Sequence, residues 1–272
     1  MLRGLLNKLC APAFAALLLL TAAASAQATA PTAARTPAPA PKTMAGAKTP
    51  DPMAPGVTGS ARLAALLERV KLAQKGMRTM EARFVQKQES AMLLQPEESR
   101  GTFSYQAPDR VRWEYSTPNP ISIVIQGDDM TTWYRDLDRA EKLKIGRYSN
   151  QFFKYLGTSG NLETLREYFD VKLQTPAKKG DPFRMELLPR YARIAKRIKT
   201  MTIWIDSERY FPNRVQYVGA DGDTTEYLFQ DIKLNSPIPA DRFVLRIPKG
   251  VDTKVIDLSG EGNGKAAAKP RP

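Results

Sequence analysis

The chain has 272 residues, a formal charge of +13, no histidine and a single cysteine, Cys10. Length alone reads as one or two domains. The missing imidazole removes the commonest general base and the commonest transition-metal ligand.

Residues 1–26 predict a signal peptide. Arg3 and Lys8 supply the positive start, residues 13–24 the apolar run, and Ala24-Ser25-Ala26 a small-residue cleavage site. The run falls short of the about 20 apolar residues that span a bilayer. Cys10 leaves with the leader, so the exported chain is expected to carry no disulfide, thiolate metal site or cysteine nucleophile. Removing Arg3 and Lys8 leaves +11. Such a balance suits acidic partners, and for an exported protein these are a membrane surface or an acidic protein rather than nucleic acid. Solubility of a greasy protein explains the charge equally well.

Residues 27–59 are rich in Ala, Pro and Thr with almost no large apolar side chain. Such a segment cannot bury enough surface to offset its ordering entropy, and its prolines favour an extended tether. A disordered linker is expected, with the folded domain over 60–258 and a disordered basic tail over 259–272. Ser60 is read as the N-cap of an amphipathic helix that closes near Gly76, with Leu63, Leu66, Leu67, Val70, Leu72 and Met77 on its apolar side.

Residues 79–89 read as the first strand, with Ala82 and Phe84 on one face. The stretch 101–133 then organises the chain. Val111, Trp113 and Tyr115 alternate with Arg110, Arg112 and Glu114, the period of a strand with one greasy and one charged face. Phe103 and Tyr105 extend the greasy face on the preceding strand. Ala107-Pro108-Asp109, Thr117-Pro118-Asn119-Pro120 and Gly127-Asp128-Asp129 read as turns, giving an antiparallel meander. Residues 131–136 and 140–145 form another hairpin. The pattern breaks at 148–156 and 162–169, which read as two short helices, with Phe152, Phe153 and Leu156 sharing an apolar side. Helices inserted in an antiparallel run suit a lid.

Strands resume at 171–174, 183–188, 199–206, 210–218 and 225–233, with a basic loop over 190–197 and a last strand over 243–247. Asp221-Gly222-Asp223 is a tight turn. The expected architecture is mainly β (α+β). It is an incomplete antiparallel barrel of about 11 strands, with an N-terminal helix and central helices, because a sheet this large must curl, split or close.

No Ser-x-x-Lys occurs, and Gly260-Glu261-Gly262 lies in the tail rather than between a strand and a helix. The pairs Asp128/Asp129 and Asp221/Asp223 sit in turns, where Asp is favoured for local backbone bonding, so they read as turn residues rather than catalytic or calcium-binding carboxylates. The run 190–199 could bind headgroups, but reads better as a solvated strand edge. No enzyme activity, metal or cofactor is expected. The aromatics Phe103, Trp113, Tyr115 and Trp133 could equally form an ordinary β-core.

The ordered set Phe84-Val85-Gln86, Gly101-Thr102-Phe103, Arg112-Trp113-Glu114-Tyr115, Pro118, Trp133-Tyr134, Trp204-Ile205-Asp206, Asp221 to Tyr227, Asp231 to Asn235 and Pro248 to Val251 resembles the outer-membrane lipoprotein carrier (LolA) family. The resemblance covers nearly all of 63–255. It implies an incomplete barrel lidded by helices over a hydrophobic cavity. It also implies a monomeric periplasmic carrier that takes lipoprotein acyl chains from an inner-membrane lipoprotein-releasing ABC transporter to an outer-membrane acceptor. The candidate lining is Phe84, Phe103, Val111, Trp113, Tyr115, Ile123, Trp133 and Ile203, with Phe152, Phe153 and Leu156 as the lid. The family places a lid-closing arginine where this chain has Ala107, leaving either Arg110 or Arg112 as a substitute or a different way of closing the lid. A carrier or sensor for another lipid or glycolipid, or a periplasmic scaffold with a solid core, would share much of this pattern.

Overall fold

The computed structural model describes residues 50–145, 162 and 165–257. The elements are α1 (Gly59–Gln74), β1 (Thr79–Glu89), β2 (Glu97–Gln106), β3 (Arg110–Thr117), β4 (Ile121–Gln126), β5 (Asp129–Tyr134), β6 (Arg139–Lys144), α2 (Leu165–Tyr168), β7 (Phe169–Gln174), β8 (Phe183–Pro189), α3 (Ala192–Ala195), β9 (Ile198–Ile205), β10 (Pro212–Gly219), β11 (Thr224–Leu234) and β12 (Asp252–Asp257). The strands form one 12-stranded sheet in the order β12-β6-β5-β4-β3-β2-β1-β11-β10-β9-β8-β7. β12 and β7 end the order, so the sheet is open, as the expectation of an incomplete barrel requires.

Two compact units divide the described chain. One takes residues 50–76, 88–95, 162 and 165–226, the other 77–87, 96–145 and 227–257. In the first, α1 is rich in Ala and Leu, the best helix formers. Leu63, Leu66, Leu67 and Val70 fall on its buried side. Its N-cap is Thr58, two residues before the expected Ser60, and makes no side-chain capping bond. Lys75 closes the last turn by donating to Lys71 O at 2.9 Å, and Gly76 follows with φ +84°, a left-handed conformation that glycine adopts without steric cost. Leu72, expected on the apolar stripe, is exposed, because its position rotates it away from the line through Leu63, Leu66 and Val70. Phe183, Met185 and Leu187 of β8 are fully buried on one face, each stabilising the fold by about 1.5–3 kcal/mol. Phe183 stacks on Tyr210, and the Arg69 guanidinium lies 5.2 Å over the same ring.

In the second unit every residue from Ile121 to Ile125 is buried. Both faces of β4 are therefore covered. The expected strand over 243–247 is absent. Ala240–Phe243 form a 3₁₀ turn with Phe243 buried. Arg112 Nη1 donates to the carbonyls of Arg242 at 2.9 Å and Val244 at 3.4 Å, which removes them from any ladder. The last strand is instead β12, which pairs in parallel with β6. No tight turn joins β12 to a neighbour, so nothing forces it antiparallel. The basic stretch read as a loop holds α3, whose Ile194 is buried. Of the expected central helices, 148–156 lies outside the described residues; of 162–169, α2 is described over Leu165–Tyr168 and Phe169 already opens β7.

Candidate functional site

Strand register assembles an apolar wall on one face of the second unit. Phe103 pairs with Trp113, and Trp113 with Ile123. Tyr105 pairs with Val111, and Val111 with Ile125. Gly101 pairs with Tyr115, and Tyr115 with Ile121. Residues paired across neighbouring strands share a face, so Phe103, Val111, Trp113, Tyr115 and Ile123 point together. Phe84 reaches them from β1. Its ring lies 5.2 Å from Trp113 and 4.9 Å from Tyr115. Gly101 makes this possible: a Cβ there would meet the Phe84 ring at 2.8 Å and collide with the carbonyl of Glu114. Glycine in a strand commonly marks such a close approach.

Trp113 is the hub. Its ring meets Phe103 at 4.9 Å, Tyr227 at 5.5 Å and Phe229 at 5.9 Å, all edge-to-face. Pairs of this kind contribute roughly 0.5–1.5 kcal/mol each beyond burial. Phe84, Phe103, Val111, Tyr115 and Ile123 are buried, whereas Trp113 is only half-buried. One polar contact crosses the wall: the Tyr115 hydroxyl donates to Oε1 of buried Gln86 at 2.8 Å. Tyr227 and Phe229 belong to the wall and were absent from the expected lining. The alternation Thr225, Tyr227, Phe229 was their signal.

Other expected residues go elsewhere. Trp133 pairs with Ser122, which pairs with Glu114, so its ring lies on the reverse face. There the Arg135 guanidinium sits 5.0 Å over it. Arg135 pairs with Glu114 and donates to Ser122 Oγ, while Ser122 Oγ donates to Glu114 Oε1 at 2.8 Å. Ile203 belongs to the first unit, where it pairs with Met185 and Val215. Phe152, Phe153 and Leu156 lie outside the described residues. Arg110 and Arg112 both alternate away from the Trp113 face, and Arg112 is engaged by Glu114 and the carbonyls after β11.

The first unit holds a cleft of about 520 Å³ between the start of α1 and β7. None of the expected lining residues contributes to it. In the same unit, burial pushes the Tyr217 phenol up to about 12, with Thr225 hydrogen bonding opposing the shift. Asp221 and Asp223 behave as turn residues: the Asp223 N–H donates to Asp221 Oδ1 at 3.1 Å, and Gly222 is left-handed. Among the described residues no cluster of acidic or thiol side chains could hold a metal ion.

Residues 75–246, from the end of α1 past the 3₁₀ turn, match the family model described as "Outer membrane lipoprotein carrier protein LolA". The chain belongs to the LolA family. A relative from Pseudomonas fluorescens strain Pf-5, named outer-membrane lipoprotein carrier protein, is 29% identical over 197 residues, covering 71% of this chain and 86% of that one. A relative of the same name from Pseudomonas entomophila strain L48 is 27% identical over 192 residues, with the same coverage. A solved structure of an uncharacterised conserved protein from Thermus thermophilus aligns with 71% of this chain and 98% of its own, at a TM-score of 0.47 and 12% identity. The LolA match spans every strand that builds the aromatic wall.

Proposed function

We propose that this LolA-family protein is a periplasmic lipoprotein carrier. It binds the acyl chains of lipoproteins released from the inner membrane and delivers them to the outer membrane. The observation that carries the reading is the apolar wall around half-buried Trp113, in a chain whose relatives are named lipoprotein carriers. Each methylene exposed to water costs about 0.8 kcal/mol. A 16-carbon chain therefore costs on the order of 10 kcal/mol to carry bare. A wall of Phe, Trp, Tyr and Ile side chains removes most of that cost without any chemistry, so the protein acts by binding rather than catalysis. Release requires that the wall hold lipid little better than the acceptor does. Loading is then nearly neutral in hydrophobic terms, and an inner-membrane ABC transporter supplies the direction.

In this reading the leader over 1–26 exports the chain, residues 27–59 act as a tether, and Phe152, Phe153 and Leu156 form the lid. Release of a lipoprotein from inner-membrane vesicles is the test. Trp113→Asp should lower release at least tenfold while Trp113→Phe keeps most of it, since a buried carboxylate disfavours an apolar guest by several kcal/mol. Equal release by both variants would overturn the role of the wall. Normal release with Phe152 and Phe153 both changed to Glu would defeat the lid. Mass spectrometry of lipid that co-purifies with the protein separates lipoprotein from another amphiphile.

A further inference from the structure

The cleft in the first unit is chemically unlike the aromatic wall. It is lined by Gly59, Ser60, Arg62 and Leu63 of α1, by Arg166 of α2, by Phe169, Asp170, Val171, Leu173 and Thr175 in and after β7, and by Arg190. Leu63 and Phe169 are buried, and Val171 and Leu173 share the face of β7 that carries Phe169. One part of the lining is therefore hydrocarbon. The rest is strongly cationic: among the described residues Arg62, Arg166 and Arg190 stand against the carboxylate of Asp170.

That carboxylate is already taken, because Arg190 Nε donates to Asp170 Oδ1 at 2.8 Å. Arg62 Nε is buried with no hydrogen-bond acceptor among the described residues. Arg166 is exposed and makes no ion pair among the described residues. A buried guanidinium N–H without an acceptor is costly, and an anion is what the Arg62 donor lacks, with exposed Arg166 adding positive charge at the mouth. The first turn of α1, three of whose residues line the cleft, has no acidic residue and no side-chain cap, so its positive dipole end adds to the same surplus. A purely apolar guest would leave the buried Arg62 donor unsatisfied. A free inorganic anion would leave the apolar lining bare. The volume of about 520 Å³ lies within the range of small-ligand pockets.

We propose that this cleft is a binding site for a single-chain amphiphile with an anionic end. A carboxylate or phosphate sits on Arg62 and Arg166, and the chain lies on Leu63, Phe169, Val171 and Leu173. The proposal rests on the cleft alone and not on the lipoprotein reading.

Calorimetric titration of the purified protein, below micellar concentrations, tests it with four probes: dodecanoate, dodecyl phosphate, neutral monolauroylglycerol and inorganic phosphate. At least one of the two anionic chains should bind about tenfold more tightly than the neutral chain, and inorganic phosphate far more weakly. Which anion binds better names the source, a fatty acid or a phospholipid. The double variant Arg62→Gln/Arg166→Gln should lose that tenfold preference and leave monolauroylglycerol unaffected. Arg166→Gln alone, at an exposed position, should lose part of it and guards against misfolding of the double variant. A wild type that binds neutral and anionic chains alike, inorganic phosphate binding as tightly as dodecyl phosphate, or glutamine variants that keep the anion preference would each overturn the proposal. No lipoprotein enters this titration, so its failure is distinct from failure of the release assay.

Discussion

The hydrogen bond between Tyr115 and Gln86 is a polar joint in the apolar wall, and it can be dissected. Tyr115→Phe keeps the ring and its edge-on contact with Phe84 at 4.9 Å, and removes only the hydroxyl. Gln86 is 4% exposed, so its Oε1 loses the donor at 2.8 Å with little water to replace it. Leaving a buried acceptor short of a partner costs about 1–3 kcal/mol. With a urea slope of about 2 kcal/mol/M, the unfolding midpoint should fall by roughly 0.5–1.5 M. Replacing both partners by apolar groups of similar shape is nearly neutral. The double variant Tyr115→Phe/Gln86→Met should therefore be more stable than Tyr115→Phe alone. Urea denaturation followed by tryptophan fluorescence measures all of these. A Tyr115→Phe midpoint indistinguishable from wild type, or a double variant at the sum of the singles, would refute the reasoning.

Two further outcomes are expected. Gly101→Val would drive a side chain into the Phe84 ring and the Glu114 carbonyl, so it should destabilise by more than the about 1–3 kcal/mol of ordinary overpacking; a thermal melt near wild type would contradict the close packing. The Tyr217 phenol is raised to about 12 from an unfolded value of 10. Between those values the unfolded chain releases its proton first. The stability this group contributes is thus fully present below pH 10 and lost as pH rises to about 12, by up to about 2–3 kcal/mol. Tyr217→Phe should remove that part of the alkaline slope, as read by denaturation at pH 9 and pH 11.

Most of the wall was legible because its signal is local. Alternation along Val111, Trp113 and Tyr115 puts them on one face whatever the rest of the chain does. Phe84 and Phe103 followed because their strands showed the same period. Arg112 was harder: its position on the charged face was clear, but its grip on the Arg242 and Val244 carbonyls joins residues far apart in sequence. No periodicity carries such a contact, and the expected strand over 243–247 failed for that reason. The cleft was invisible for the same cause, since Arg62, Arg166 and Arg190 come from three separated segments.

Trp133 shows where sequence stops and tertiary structure begins. The sequence by itself determined α1, the meander β1 to β5, the turn at Gly127 and the membership of the LolA family. It did not determine which side of β5 would join the wall, because Met130 and Thr132 alternate with Thr131 and Trp133, and size favoured the tryptophan. The register settles it: Gln126 pairs with Asp129 across the turn, so Thr132 lies opposite Ile123 and Trp133 opposite Ser122. Shifting such a register by one residue exchanges the two faces. Composition and period fix what each strand can offer, and only the pairing of strands decides which offer faces the guest.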